Sequence, residues 1–525
     1  MVFDKIFSKE GYNMKRILVG LFTFALLAPK AFAENVWVND LRSLFLSNNA
    51  IIYAVNMRTF GAQDINNDGI IDVSEGEESG NFLNAISRLD ELQAIGVNTL
   101  HLLPIMSVGK TKALGTAGSL YAAASFDELN PQLKSERSAL TLEEQATKFI
   151  NEAHKRGIRV MIDVPACGSY DLYMKRPELF VKDASGQAVT PADWTDVRLF
   201  DAGTELAINR AVYSVYKDFV DYVLRLGADG IRADVAHSKP ASFWKELIDY
   251  SRRKDPQFMW LAESSDSWST PVASQAVYTP YDKLLEAGFD GFYGSYFNMK
   301  DWRKADELMN HVKFTNSVKT KFSQPKSVIG SFSTHDELSP VLINGPQYSD
   351  MILWLNATLP LNSYYVDGFT TGDNYVYLWG NKKARSTSTD DDYYFVHRGK
   401  LDIFNFSRQP GGKNYDFKTS FAVANRFKAS IAPIMANGKF TQLKTNNPEV
   451  FAYAISYNNS TVVVFGNMNF KKNNEANIKV SGFNEDMFIV PMKIVVPPIG
   501  SKNKIEAKLV PGEIQVLLVT GLEVK

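Results

Sequence analysis

The 525-residue sequence predicts an α/β fold: a (β/α)8 TIM barrel with a short inserted loop domain after its third strand and a C-terminal all-β sandwich domain. Three observations carry that expectation. Helix-like and strand-like segments alternate over most of the chain, four of the strand-like runs end in an acid, and near Gly438 the texture changes to alternating strands between polar turns.

The first apolar run, IIYAVNMRTF (51–60), reads as a strand and turn. Next come the helix-like NFLNAISRLDELQAIG (81–96) and the apolar VNTLHLLPI (97–105). TLEEQATKFINEAHKRG (141–157) leads to IRVMIDVP (158–165), and LAINRAVYSVYKDFVDYVLRLG (206–227) leads to ADGIRADVA (228–236). PASFWKELIDYSRRK (240–254) precedes FMWLAES (258–264), and KSVIGSFSTHD (326–336) precedes YSDMILWLNATL (348–359). Apolar residues at helical spacing followed by short β-branched runs are the mark of βαβ units with buried parallel strands. Repeated roughly eight times they favour a closed barrel, although periodicity alone leaves a doubly wound sheet open. Residues 166–205 are polar and aromatic and longer than a plain barrel connection needs, which reads as a functional insertion. The barrel is expected over 34–435. The all-β domain is expected over 436–525, from strands such as EVFAYAISY, TVVVFGNMN, MFIVPMKIVV and IQVLLVTGL.

A net charge of -1 with no basic block argues against a nucleic-acid partner, and there is no lysine-rich amphipathic helix to lie on a membrane. From Met14 the start reads MKRILVGLFTFALLAPKAFA: a basic Lys15-Arg16, an apolar run to Leu27 and a small-residue cleavage site at Ala31-Phe32-Ala33. This predicts a signal peptide over 1–33, a mature protein without a membrane span, and a secreted or periplasmic destination. The single cysteine, Cys167, leaves no internal disulfide for that oxidising setting.

The four acids at strand ends are Asp163, Asp234, Glu263 and Asp336. The C-terminal strand ends of a barrel share one face, so these residues converge although far apart in sequence. A lone Asp at a strand end is more often a turn former or helix cap. Four at matching places, two accompanied by Arg232 and His335, point instead to chemistry. Converging carboxylates suit glycoside hydrolysis, where one must be ionised to attack or stabilise an oxocarbenium-like centre and another protonated to free the leaving oxygen. Arg232, two residues before Asp234 on the same strand face, would hold a neighbouring carboxylate ionised.

These residues resemble the α-amylase family, glycoside hydrolase family 13. IIYAVNMRTF resembles its first barrel strand, SLYAAASFDELNP (119–131) the approach to its third unit, GIRADVAH its strand-4 motif, LAES its strand-5 motif and STHD its strand-7 motif. The resemblance spans about residues 50 to 435. It implies a retaining enzyme for α-glucosidic bonds of starch-like glucans or oligosaccharides, with Asp234 as nucleophile, Glu263 as general acid and base, and Asp336 as third carboxylate. Arg232 would orient the nucleophile, His335 would bond the sugar, Tyr121 would be its stacking platform, and Asp163 and His237 would complete the substrate site. The sequence departs from the family at DVPACGSYD, where Cys167 and Gly168 replace the usual Asn-His, and at His237-Ser238, where a Lys-His pair is common. A glucanotransferase of the same fold, or a non-catalytic carbohydrate-binding relative, are the alternatives.

DINNDGIIDVSE (64–75) matches a twelve-residue calcium loop, with Gly69 at the tight turn and Glu75 at the twelfth place. No helix enters it and no second copy exists, so neither an EF-hand sensor nor an adhesion module is favoured. Some members of the resembled family carry such a loop after strand 1, which implies structural Ca2+ on Asp64, Asn66, Asp68, the Ile70 carbonyl and Asp72.

Overall fold

The apolar runs form eight parallel strands, buried on both faces: Ile51–Val55, Thr99–Leu102, Arg159–Val164, Gly230–Ala233, Met259–Ala262, Gly291–Phe292, Ser327–Val328 and Ser363–Val366. The computed structural model describes residues 37–524 apart from 64, 67–72, 114–117, 193, 373–414, 485 and 496. The expected leader over 1–33 therefore lies outside the described residues. In the sheet the eighth strand pairs with the first, and the others follow in chain order to the seventh. This is a (β/α)8 barrel, as the sequence predicts.

Ring closure between the seventh and eighth strands is spare. One parallel bridge joins Ile329 to Asn362, and the Asn362 side chain does the rest. Its Nδ2 donates to the Phe45 carbonyl (2.9 Å) and to Ser327 Oγ (3.0 Å), while its Oδ1 accepts from the Ala50 amide (3.0 Å). A buried amide with these partners substitutes for missing ladder bonds, because each backbone group it meets would otherwise be buried unpaired.

The helices follow their sequence signals. Leu142–Lys155 starts at a capping box in which the Thr141 hydroxyl accepts from the Glu144 amide and the Glu144 carboxylate accepts from the Thr141 amide. Arg210–Leu226 is capped by Asn209 and stops at Gly227, whose φ of 99° few other residues adopt. Ala241–Lys254 turns Phe243, Trp244, Leu247 and Ile248 inward and ends in Arg252, Arg253 and Lys254, favourably placed against the helix dipole. Trp244 packs edge-on against Trp260 and Phe289; truncating a tryptophan so buried costs about 3–5 kcal/mol. The helix expected at 348–359 extends back to Pro340 through a break at Asn344 and Gly345, directly before Pro346. The Gly-Pro pair masks its first turn in the sequence.

Within 166–205 the chain folds into a two-stranded hairpin, Cys167–Ser169 with Val197–Leu199, and a short helix, Tyr170–Lys175. Phe180, Phe200 and Phe126 pack together and fasten it to the barrel. Beyond Lys439 all pairings are antiparallel, in a five-stranded and a four-stranded sheet. Leu443, Val463, Phe465, Ile478, Ile505 and Val519 share one buried cluster between them. This C-terminal β domain meets the barrel through the Tyr453 and Thr358 hydroxyls (2.6 Å) and the Ala305 amide, which donates to the Pro448 carbonyl (2.8 Å). Among the described residues no helix is long and apolar enough to cross a membrane.

Candidate active site

Parallel register places Asp163 on the third strand directly beside Arg232 on the fourth. The Arg232 guanidinium is fully buried and gathers three acids. Its Nη1 donates to both Asp163 oxygens (2.9 Å each) and to Asp234 Oδ1 (2.8 Å). Its Nη2 lies 2.9 Å from Glu263 Oε1 as a charge contact rather than an aligned hydrogen bond. Its Nε donates to the Tyr293 hydroxyl (3.0 Å). A planar guanidinium that never loses its charge is suited to hold several carboxylates in fixed directions.

Backbone amides complete the hold on the two acids nearest the opening. Ala166 N–H donates to Asp234 Oδ2 (2.9 Å), and Val235 N–H donates to Glu263 Oε2 (2.7 Å). Val235 has φ 39° and ψ 50°, left-handed backbone that a β-branched residue rarely adopts. Such strain costs on the order of 1–3 kcal/mol, and here it aims an amide at Glu263.

Burial pushes all three acids toward their protonated forms, and the neighbouring charges separate them. Burial raises Glu263 well above the usual carboxylate range; Arg232 opposes this, and the Asp234 and Asp336 charges add to it. Burial also raises Asp234, to about 6, with Arg232 pulling the other way. For Asp163 burial acts upward too, but Arg232 and His101 outweigh it and the group stays below its ordinary value. Glu263 is thus pushed toward its protonated form and Asp163 toward its ionised form, within one cluster held on Arg232.

The other sequence-predicted residues assemble around this core. Tyr121 Oη donates to Asp163 Oδ2 (2.7 Å) and meets His335 Nε2 (2.8 Å), and the Tyr121 and His335 rings are parallel, 5.8 Å between centroids. Asp336 lies 3.4 Å from His335 Nε2 with its side chain 32% exposed, the most open of the acids. Tyr121, Asp234, His237, Glu263 and Asp336 line a cavity of about 660 Å3, whereas Arg232, Asp163 and His335 lie behind its wall. That volume is within the range of small-ligand pockets. Burial lowers His237 to about 4, so its ring is neutral at pH 7.

Several neighbours escape sequence reading. His101 sits 3.3 Å from Asp163 Oδ2 and meets the Tyr364 hydroxyl (2.9 Å); the signal available was a lone His inside the apolar VNTLHLLPI. Trp194 from the insertion and Trp268 after the fifth strand also line the cavity, and Trp268 meets the His237 ring edge-on at 5.5 Å. Cys167 lines the cavity as a buried thiol, pushed up to about 12 by burial and therefore inert.

Of the five expected calcium ligands only Asn66 is described; Asp64, Asp68, Ile70 and Asp72 lie outside the described residues. Asn66 Nδ2 donates to Glu75 Oε2 (2.6 Å), which brings the third and twelfth loop positions together. The Glu77 carboxylate accepts from the Ile65 amide (2.6 Å). The Glu75 and Glu77 carboxylates thus accept from N–H groups of the loop, and among the described residues no group of three His, Cys or acidic side chains is gathered that could hold a metal.

The chain matches no known protein-family profile. It is 22% identical over 410 residues to an α-1,4-glucan:maltose-1-phosphate maltosyltransferase from Picrophilus torridus, covering 74% of this chain and 59% of that one. It is 22% identical over 285 residues to neopullulanase 2 from Thermoactinomyces vulgaris, covering 49% of this chain and 44% of that one. The chain thus spans about half the length of these curated relatives. The crystal structure of a maltogenic α-amylase from Thermotoga neapolitana superposes with a TM-score of 0.66 at 18% identity, covering 90% of this chain and 99% of that one. The last likeness shows a shared fold. The relatives and structural neighbours are α-amylase-family enzymes.

Proposed function

We propose that the chain is a family 13 glycoside hydrolase, exported by its leader, that cleaves α-glucosidic bonds of starch-like glucans or oligosaccharides with retention. The observation that carries the reading is the pair Asp234 and Glu263, fixed on one buried guanidinium and both lining the cavity. Asp234, ionised above about pH 6, attacks the anomeric carbon as the protonated Glu263 gives its proton to the departing oxygen. Glu263, then ionised, takes a proton from the incoming water as the glycosyl bond to Asp234 breaks. Asp336 holds sugar hydroxyls at the opening, Tyr121 offers its ring as the stacking platform, and Arg232 with Asp163 keeps the nucleophile aimed.

A second reading, glucanotransfer, is favoured by relatives such as the Picrophilus torridus protein being maltosyltransferases. It differs only in whether a sugar hydroxyl replaces water. The loop at 64–72 is assigned a structural Ca2+ on Asp64, Asn66, Asp68, the Ile70 carbonyl and Asp72, with no part in bond cleavage. Soluble starch, maltooligosaccharides and pullulan, incubated with the wild type and with Asp234→Asn and followed by chromatography, test the reading. Turnover by the wild type alone is expected. No turnover of any α-glucan refutes the enzyme, equal activity in the variant refutes the nucleophile, and longer products than substrates establish transfer.

A further inference from the structure

The strand-3 turn, Pro165–Gly168, is where the sequence departs from the family it resembles, and it is also where the nucleophile finds a backbone donor. Ala166 uses both of its polar backbone groups there. Its N–H donates to Asp234 Oδ2 (2.9 Å), and its carbonyl accepts from Lys239 Nζ (2.9 Å). The neighbouring Pro165 carbonyl accepts from the Tyr216 hydroxyl (2.7 Å). Lys239 is 1% exposed, five residues after Asp234 on the strand-4 loop. Its ammonium lies 4.9 Å from the Tyr216 ring centroid and 5.8 Å from that of Trp244, a cation held by two aromatic faces and one carbonyl. Its own hold is secure, since its carbonyl accepts from the Thr279 hydroxyl (2.8 Å).

Burying an ammonium without a carboxylate bonded to it is costly. Two groups of the site feel its charge: Asp234 and the Cys167 thiol both act on Lys239, against a burial that lowers it to about 8. Asp234 is faced in turn by Arg232, Asp163 and Glu263. A neutral side chain at 239 would fill the same space at lower cost, so the position is better explained by what the charge does for the turn and for the carboxylate.

We propose that Lys239 is a positioning residue for the nucleophile: it clamps the Ala166 peptide so that its amide points at Asp234, and it adds a second buried positive charge to the site beside that of Arg232. This rests on the reading of Asp234 as nucleophile. The clamp ties the strand-4 loop to the strand-3 turn at the place where Cys167 and Gly168 offer no polar side chain of useful length.

Lys239→Met removes charge and donor at nearly constant volume, and Lys239→Gln keeps a donor without the charge. Both are compared with wild type by steady-state kinetics across pH, by thermal melting, and by 13C NMR titration of the Asp234 carboxyl. The expected result for Lys239→Met is a folded protein whose kcat falls roughly 10- to 100-fold with KM little changed. The acid limb of its kcat/KM profile and the NMR midpoint of Asp234 both move to higher pH. Lys239→Gln recovers part of kcat through the carbonyl bond but keeps the shifted limb. Wild-type kcat and an unmoved Asp234 midpoint in folded Lys239→Met overturn the proposal, as does failure of both variants to fold, which assigns Lys239 to stability alone. If the wild type itself turns over no glucan, the enzyme reading fails, while the NMR midpoint still decides the role of Lys239.

Discussion

Replacing Asp234 by Asn is expected to stabilise the protein at pH 8 even as it abolishes turnover. The carboxyl is almost out of water, its side chain 13% exposed. Burial carries it from an ordinary 3.8 to about 6 in spite of Arg232. A raised carboxyl binds its proton more tightly in the folded chain than in the unfolded one. Folding is therefore penalised wherever the group must ionise: not at all below about pH 4, increasingly through about pH 6, and fully above it. That difference corresponds to on the order of 3 kcal/mol at pH 8. Asn removes the charge and with it the penalty, less about 1 kcal/mol because its amide nitrogen must face one of the two donors, Arg232 or the Ala166 N–H, that Asp234 accepts from. For a chain of this length the gain corresponds to about 2–3 °C in Tm. Thermal melts of wild type and variant at pH 4, 6 and 8 read it directly. The variant's advantage should be near zero at pH 4 and largest at pH 8. A variant that melts at or below the wild type at pH 8 would refute the argument, because Asp234 would then be an ordinary paired carboxylate and not one held at a cost for chemistry.

Two further expectations concern the surroundings. Tyr121→Phe deletes the hydroxyl shared by Asp163 and His335; leaving those groups without it should cost about 1–3 kcal/mol of stability. Because it also loosens the carboxylate that braces Arg232, kcat/KM should fall by roughly tenfold; a variant with unchanged melting and kinetics would remove Tyr121 from the network. Calcium bound at the 64–72 loop favours the folded state by mass action, so a chelator should lower Tm without changing which bond is cut. Elemental analysis finding no calcium, with an unmoved Tm, would dismiss the metal.

The barrel was legible because parallel strands buried on both faces are written as short apolar runs, and the helices between them keep a 3.6-residue period. The convergence of Asp163, Asp234, Glu263 and Asp336 was legible for a geometric reason: every strand of a barrel ends on one face. What stayed hidden has physical causes too. Gly291–Phe292 is a two-residue strand, too short to leave a periodic signature. The C-terminal strands Asn474–Lys479 and Lys504–Leu509 bury only alternate residues, so NEANIK and KIEAKL read as polar. Lys239 and His101 reveal themselves only through partners distant in sequence: Lys239 reaches an Ala166 carbonyl 73 positions away. One lysine among many carries no mark of where its tip will lie.

The Asn362 clasp implies an order of assembly. Its bonds to Phe45 and Ala50, and that of Ser327 Oγ to Asn48 Oδ1, join residues 279 to 317 positions apart, among the most distant pairings in the barrel. Each neighbouring strand pair from first to sixth needs a far shorter loop to be closed. Loop-closure entropy grows with the span, so the seam is the contact the chain reaches last. Asp336 follows the strand at that seam. Strands one to seven, which carry all four acids, can pair in chain order as an open crescent, and the clasp then curls that crescent into the ring on whose face Asp234, Glu263 and Asp336 share one cavity.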